Sequence, residues 1–191
     1  MYKLICVGAS WGGLDALSRL LGDLPIQVDL PVVIAQHRHA TSASAGLPDL
    51  LRLRVKRPVH DAEDKMAIER GRVYVAPPDY HLLVERGSFA LSVDERVQFA
   101  RPSIDVLFES AAHTYGPGVI GIILTGANED GAAGLATIKA RGGVALVQDP
   151  SDAERRTMPD AAIAATAADA VLPLEEMGRF LYGLCGAEEI S

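Results

Sequence analysis

The 191-residue chain is poor in several things that would each announce a class of protein. It has two cysteines, Cys6 and Cys185, in apolar segments and without zinc-type spacing, so they are read as buried, reduced thiols. No apolar run approaches the ~18 residues that a membrane span requires. The N-terminus lacks a basic segment followed by an apolar stretch and a small-residue cleavage site, and a cytoplasmic location is expected. Lysine and arginine number 18 against 25 aspartates and glutamates, and the net charge of −7 argues against general nucleic-acid binding. The dinucleotide fingerprint G-x-G-x-x-G is absent: the first turn reads Gly8-x-x-x-Gly12-Gly13. The second strand ends in Gln36-His37 rather than in the acidic residue that would hold a ribose, so no dinucleotide cofactor is expected. His37 and His39 could share a face, but neither carboxylate nor cysteine stands beside them, and no metal is expected.

What is present is an alternation of apolar runs with amphipathic stretches. Residues 3–8, 31–36, 118–126, 144–149 and 170–172 read as strands, several of them apolar without alternation, as in strands buried on both faces. Helices are expected at 12–22, with Leu14, Leu17, Leu20 and Leu21 inward, and near 43–51. A helix from Ser103 has Ile104, Leu107, Phe108 and Ala111 inward, and others are expected over 130–143, from Met158-Pro159 and over 173–184. "GRVYVAPPDYHLLVERGSFALSV" alternates short strands with turn signals and reads as an inserted β-hairpin or meander. The pattern specifies one domain over 1–191 of the α/β class: a doubly wound, mainly parallel, Rossmann-like sheet with an inserted hairpin. The basic run "RLRVKR", 52–57, is either a solvated helix end and strand start or a docking patch for an acidic partner.

In such sheets function gathers at the carboxyl ends of the strands. That rim carries Ser10 after the first strand, His37 after the second and Asp130 after the strand at 118–124. Serine needs a base to take its proton, and a carboxylate to hold that base in one tautomer. Each residue has a blander reading: Ser10 as a helix N-cap, His37 as a satisfied polar residue at a strand end, Asp130 as a cap for the helix that follows it. Gly8-Ala9-Ser10-Trp11-Gly12 matches G-x-S-x-G, yet the α/β-hydrolase elbow comes after several strands, and that fold is not expected here.

"VGASWGG", "IAQHRH", "GRVYVAPPDYHLLV", "RPSIDVLFESAA", "GIILTGANEDGAAGL" and "MPDAAI" occur in an order that resembles the catalytic domain of the chemotaxis protein-glutamate methylesterases, the CheB family, over roughly residues 3–183. The resemblance implies a serine hydrolase for glutamate γ-methyl esters on cytoplasmic chemoreceptor helices, often also a deamidase of receptor glutamines. Carried over, Ser10 is the nucleophile, His37 the base and Asp130 the orienting acid, with no cofactor. Trp11, Gly12, Arg38, Gly126, Ala127 and Asn128 are the candidates for oxyanion and substrate contacts, through backbone N–H groups near Trp11 and in the Gly126–Asn128 loop. Trp11, Arg38 and Ala127 depart from the residues common in the family, and Trp11 reads either as a packed elbow residue or as a wall that narrows the cleft. A catalytically silent receptor-binding module, or the same chemistry on a receptor of another sensory pathway, remains an alternative. The family's receiver domain has no counterpart in the chain. An excised domain and a free-standing protein both fit that fact; Met1, so close to the first strand, slightly favours the second, which would be controlled by a separate regulatory protein or by none.

Overall fold

A computed structural model describes residues 1–37 and 46–186. The chain runs β1 (Leu4–Ala9), α1 (Gly13–Asp23), β2 (Val32–Gln36), α2 (Leu47–Arg52), β3 (Val59–Asp61), β4 (Val73–Val75), β5 (His81–Glu85), β6 (Ser88–Ser92), α3 (Ile104–Tyr115), β7 (Val119–Ile123), α4 (Ala132–Ala140), β8 (Val144–Gln148), α5 (Thr157–Ala165), β9 (Ala170–Leu172) and α6 (Leu174–Gly186). Seven strands form one sheet in the order β3-β4-β2-β1-β7-β8-β9. Every neighbouring pair in it is parallel, and β5 and β6 form a separate antiparallel hairpin.

The strand residues alternate between two cores. Ile5, Val7 and Ile34 face one side of the sheet with Leu17 and Leu20 of α1 and Met177 and Leu181 of α6. Leu4, Cys6 and Ala35 face the other side with Leu107 and Phe108 of α3, Leu135 of α4 and Phe89 of the hairpin. Both faces of β1 are therefore dry, which is why its sequence shows no polar alternation. Burial pushes the Cys6 thiol far up, and no disulfide joins it to Cys185.

Several expectations are corrected. "VYV" at 73–75 belongs to the parallel sheet, and only 81–92 makes the hairpin. The strand expected to start at the end of the basic run 52–57 is the short β3, only three residues long. Leu14 is half-buried: it packs against the core as expected and also lines a surface cleft. β7 ends at Ile123, three residues short of Gly126, and α4 starts at Ala132 rather than 130. The first residues of the helix expected near 43–51 lie outside the described residues. The basic run 52–57 is not one patch. Arg57 is buried and donates to the Pro25 carbonyl at 2.6 Å, whereas Arg52, tied to Asp49 and the Val59 carbonyl, is exposed together with Arg54 and Lys56.

From β1 the chain winds towards β2 and then β4, whereas from β7 it winds the other way, towards β8. The loops leaving β1 and β7 thus part at the switch point of the sheet, where doubly wound folds open a crevice. Behind that crevice α3 and α4 approach closely at Gly134, where an added Cβ would stand 2.7 Å from Phe108 Cβ and 3.0 Å from Asp105 Cα. Gly134→Ala is expected to force the helices apart and cost about 1–3 kcal/mol, read as a lower midpoint in urea denaturation.

Candidate active site

Ser10 is the first residue beyond β1, and three bonds fix its backbone. Its N–H donates to the Thr125 carbonyl at 3.0 Å, and its carbonyl accepts from Gly13 N at 2.9 Å and from Gln36 Nε2 at 2.6 Å. Gly12 supplies the left-handed turn, φ 78°, and itself stands at the N-cap of α1. Ser10 therefore does not cap that helix. Among the described residues its hydroxyl makes no hydrogen bond, and it opens onto a cleft of about 910 Å³.

His37 follows β2 directly, tied to the end of β1 by a bond from its N–H to the Ala9 carbonyl, 3.1 Å. Its side chain is 11% exposed. Nε2 lies 2.7 Å from Asp130 Oδ2, and Nδ1 lies 2.9 Å from Asn128 Nδ2. His37 and Ser10 line the same cleft.

Asp130 has no exposed surface and accepts four hydrogen bonds: from His37 Nε2, from Ser103 Oγ at 2.9 Å, from Ile104 N at 2.7 Å and from Asp105 N at 3.0 Å. It does not cap the helix that follows, as the blander reading has it; it sits at the N-terminus of α3, where the helix dipole favours an anion. Ser103 is the N-cap of α3 as expected, its Oγ accepting from Val106 N while donating to Asp130. Burial pushes the Asp130 carboxyl up, but the His37 bond and the amides of Ile104 and Asp105 outweigh it and hold it below the usual carboxylate range. Asp105 reciprocates: it lies on α3 and accepts from Gly131 N at 2.9 Å and Gly134 N at 2.7 Å, at the start of α4. Burial, abetted by the nearby Asp130 charge and opposed by the Gly134 and Gly131 amides, pushes its carboxyl up to about 6.

The other candidates divide. Trp11 is not a packed elbow: it is 52% exposed, lines the cleft, donates through Nε1 to Glu154 Oε1 at 2.8 Å and lies 5.3 Å under the Arg155 guanidinium. Gly12, Ala127 and Asn128 also line the cleft. Among the described residues, the backbone N–H groups of Trp11, Gly12, Ala127 and Asn128 are free of hydrogen bonds. Gly126 is not: its N–H is committed to the Arg155 carbonyl at 3.0 Å, and a Cβ there would meet Met158. Arg38 lies outside the described residues. Sequence reasoning missed Gln36, which anchors the Ser10 carbonyl, and Glu154, which steers Trp11; both contacts cross the fold and leave no local signal.

The profile of the CheB methylesterase family matches residues 5–181. A putative protein-glutamate methylesterase/protein-glutamine glutaminase of Leptospira interrogans serovar copenhageni is 48% identical over 187 residues, 96% of this chain and 95% of that one. A protein-glutamate methylesterase/protein-glutamine glutaminase of Hahella chejuensis is 43% identical over 180 residues, 92% of this chain but 49% of its own length. The crystal structure of the Thermotoga maritima CheB methylesterase catalytic domain superposes with a TM-score of 0.89 at 30% identity, covering 96% of this chain and 99% of that one.

Because the folded pKa of Asp105 lies above the ordinary 3.8, its ionisation weakens the fold as the pH rises from about 4 to about 6. Asp105→Asn keeps an acceptor oxygen and removes the charge. Urea denaturation is expected to show the variant gaining on the wild type between pH 4.5 and 7.5; a constant difference would place the titration elsewhere.

Proposed function

The chain belongs to the CheB methylesterase family, and from that premise we propose that it hydrolyses glutamate γ-methyl esters on cytoplasmic chemoreceptor helices through an acyl-enzyme on Ser10. The observation that carries this reading is His37 held between the buried Asp130 and the cleft that Ser10 faces. With Nε2 engaged by Asp130, the ring presents Nδ1 as its basic nitrogen. Ser10 Oγ attacks the ester carbonyl as Nδ1 takes its proton. The uncommitted N–H groups of Trp11 and Gly12 on one side, and of Ala127 and Asn128 on the other, receive the oxyanion. The tetrahedral intermediate collapses, the C–O bond to the methoxy group breaks, and His37 returns the proton so that methanol leaves. Water, deprotonated by the same nitrogen, then releases the glutamate and Ser10.

A receptor glutamine would follow the same course with ammonia as the leaving group, which matches the double activity in the names of the relatives. The substrate places the enzyme at the cytoplasmic side of the receptor. The half-exposed Trp11 ring forms one wall of the entrance, positioned to lie against a receptor helix rather than to touch the reacting carbonyl.

Methanol release from methylated receptor helices tests the reading. Ser10→Ala is expected to lower it by about 10³-fold or more, and His37→Ala by nearly as much, since residues acting as a unit are not additive. Receptor binding without Ser10-dependent turnover would instead make this a binding module.

A further inference from the structure

Both nitrogens of the His37 ring are occupied. Nε2 meets Asp130 at 2.7 Å, and because a carboxylate accepts, Nε2 carries the proton. Nδ1 is left as an acceptor and meets the Asn128 amide nitrogen at 2.9 Å. The orientation of that amide follows from the network: its Oδ1 accepts from Asp130 N at 3.1 Å, so its Nδ2–H points at the ring. The lone pair on which activation of Ser10 depends is therefore already engaged. Consistently, the Ser10 hydroxyl makes no hydrogen bond to His37, although both line one cleft.

From this geometry we propose that Asn128 is a positioning residue that occupies the His37 lone pair in the resting enzyme and must be displaced before Ser10 is activated. The proposal rests on the assignment of Ser10, His37 and Asp130 above. Asn128 belongs to the loop after β7, and that loop also lines the cleft, so a carbonyl compound entering beside Ser10 lies next to the amide that has to move. The same amide keeps the ring from turning, because one nitrogen is fixed by Asp130 and the other by Asn128. Serine reactivity is thereby coupled to occupancy of the cleft.

A small alkyl fluorophosphonate tests this without any receptor: the Ser10 Oγ–P bond forms, the P–F bond breaks, fluoride leaves and the serine proton passes to His37. Asn128→Ala is expected to be labelled about three- to tenfold faster than the wild type, the gain corresponding to one released neutral hydrogen bond. An equal or slower rate in folded Asn128→Ala overturns the proposal. Absence of labelling in the wild type, or labelling that persists in Ser10→Ala, would instead overturn the assignment of the nucleophile. A second measurement needs no variant at residue 128. In ¹⁵N-labelled wild-type protein, a through-hydrogen-bond coupling between Asn128 Nδ2 and His37 Nδ1 is expected in the resting enzyme and should disappear once Ser10 is phosphonylated. A coupling that is absent at rest, or that survives phosphonylation, contradicts displacement.

Discussion

A carboxylate with no exposed surface must be surrounded by donors, and Asp130 has four. Three come from the start of α3 and one from the end of β2. This single group therefore joins the helix layer to the rim of the sheet. Desolvation pushes its pKa up, yet its partners outweigh that and hold it low, and an ionised carboxylate is what the His37 Nε2–H requires. The position of His37, the direction of its lone pair and the place of Asn128 all follow from where that charge is fixed.

Asp105 enlarges the same arrangement. Each of the two aspartates sits at or near one helix and receives the first amides of the other: Asp130, just before α4, binds the start of α3, and Asp105, in α3, binds the start of α4. The two differ in what surrounds them: the His37 bond and the amides of Ile104 and Asp105 hold Asp130 low against its burial, whereas burial, with the Asp130 charge adding to it, pushes Asp105 up. It also explains the close helix approach at Gly134, because a bulkier residue would pull the Gly134 amide away from Asp105. Packing behind the cleft and chemistry in front of it rely on the same bonds.

Much of this was readable from residues near one another in the chain. The apolar runs gave the parallel sheet, and the rule that function collects at strand ends selected Ser10, His37 and Asp130 before any contact was known. Ser103 was recognisable as a cap because capping is a local matter. What stayed hidden depends on which element lies beside which. Asp130 looked like a cap for its own helix, since nothing in the sequence shows that α3 ends up facing it. The strand at 73–75 was assigned to the hairpin because its neighbours in the sheet, β2 and β3, are remote or too short to read. His81, one histidine among five in the sequence, turns out to accept the Ser103 N–H and so to brace the hairpin against the start of α3.

The Trp11 wall is held from far away. Its indole is bonded to Glu154 and covered by Arg155, both in the loop between β8 and α5, 143 residues along the chain in the case of Glu154. Ser10 and the ring beside it are thus positioned by different parts of the sequence. Side-chain exchanges at Glu154 and Arg155 would widen, narrow or recharge the entrance, whereas the Arg155 backbone is bonded to Thr125, whose carbonyl holds the Ser10 N–H. The side chains that shape the entrance can drift, while the backbone beneath them belongs to the support of Ser10.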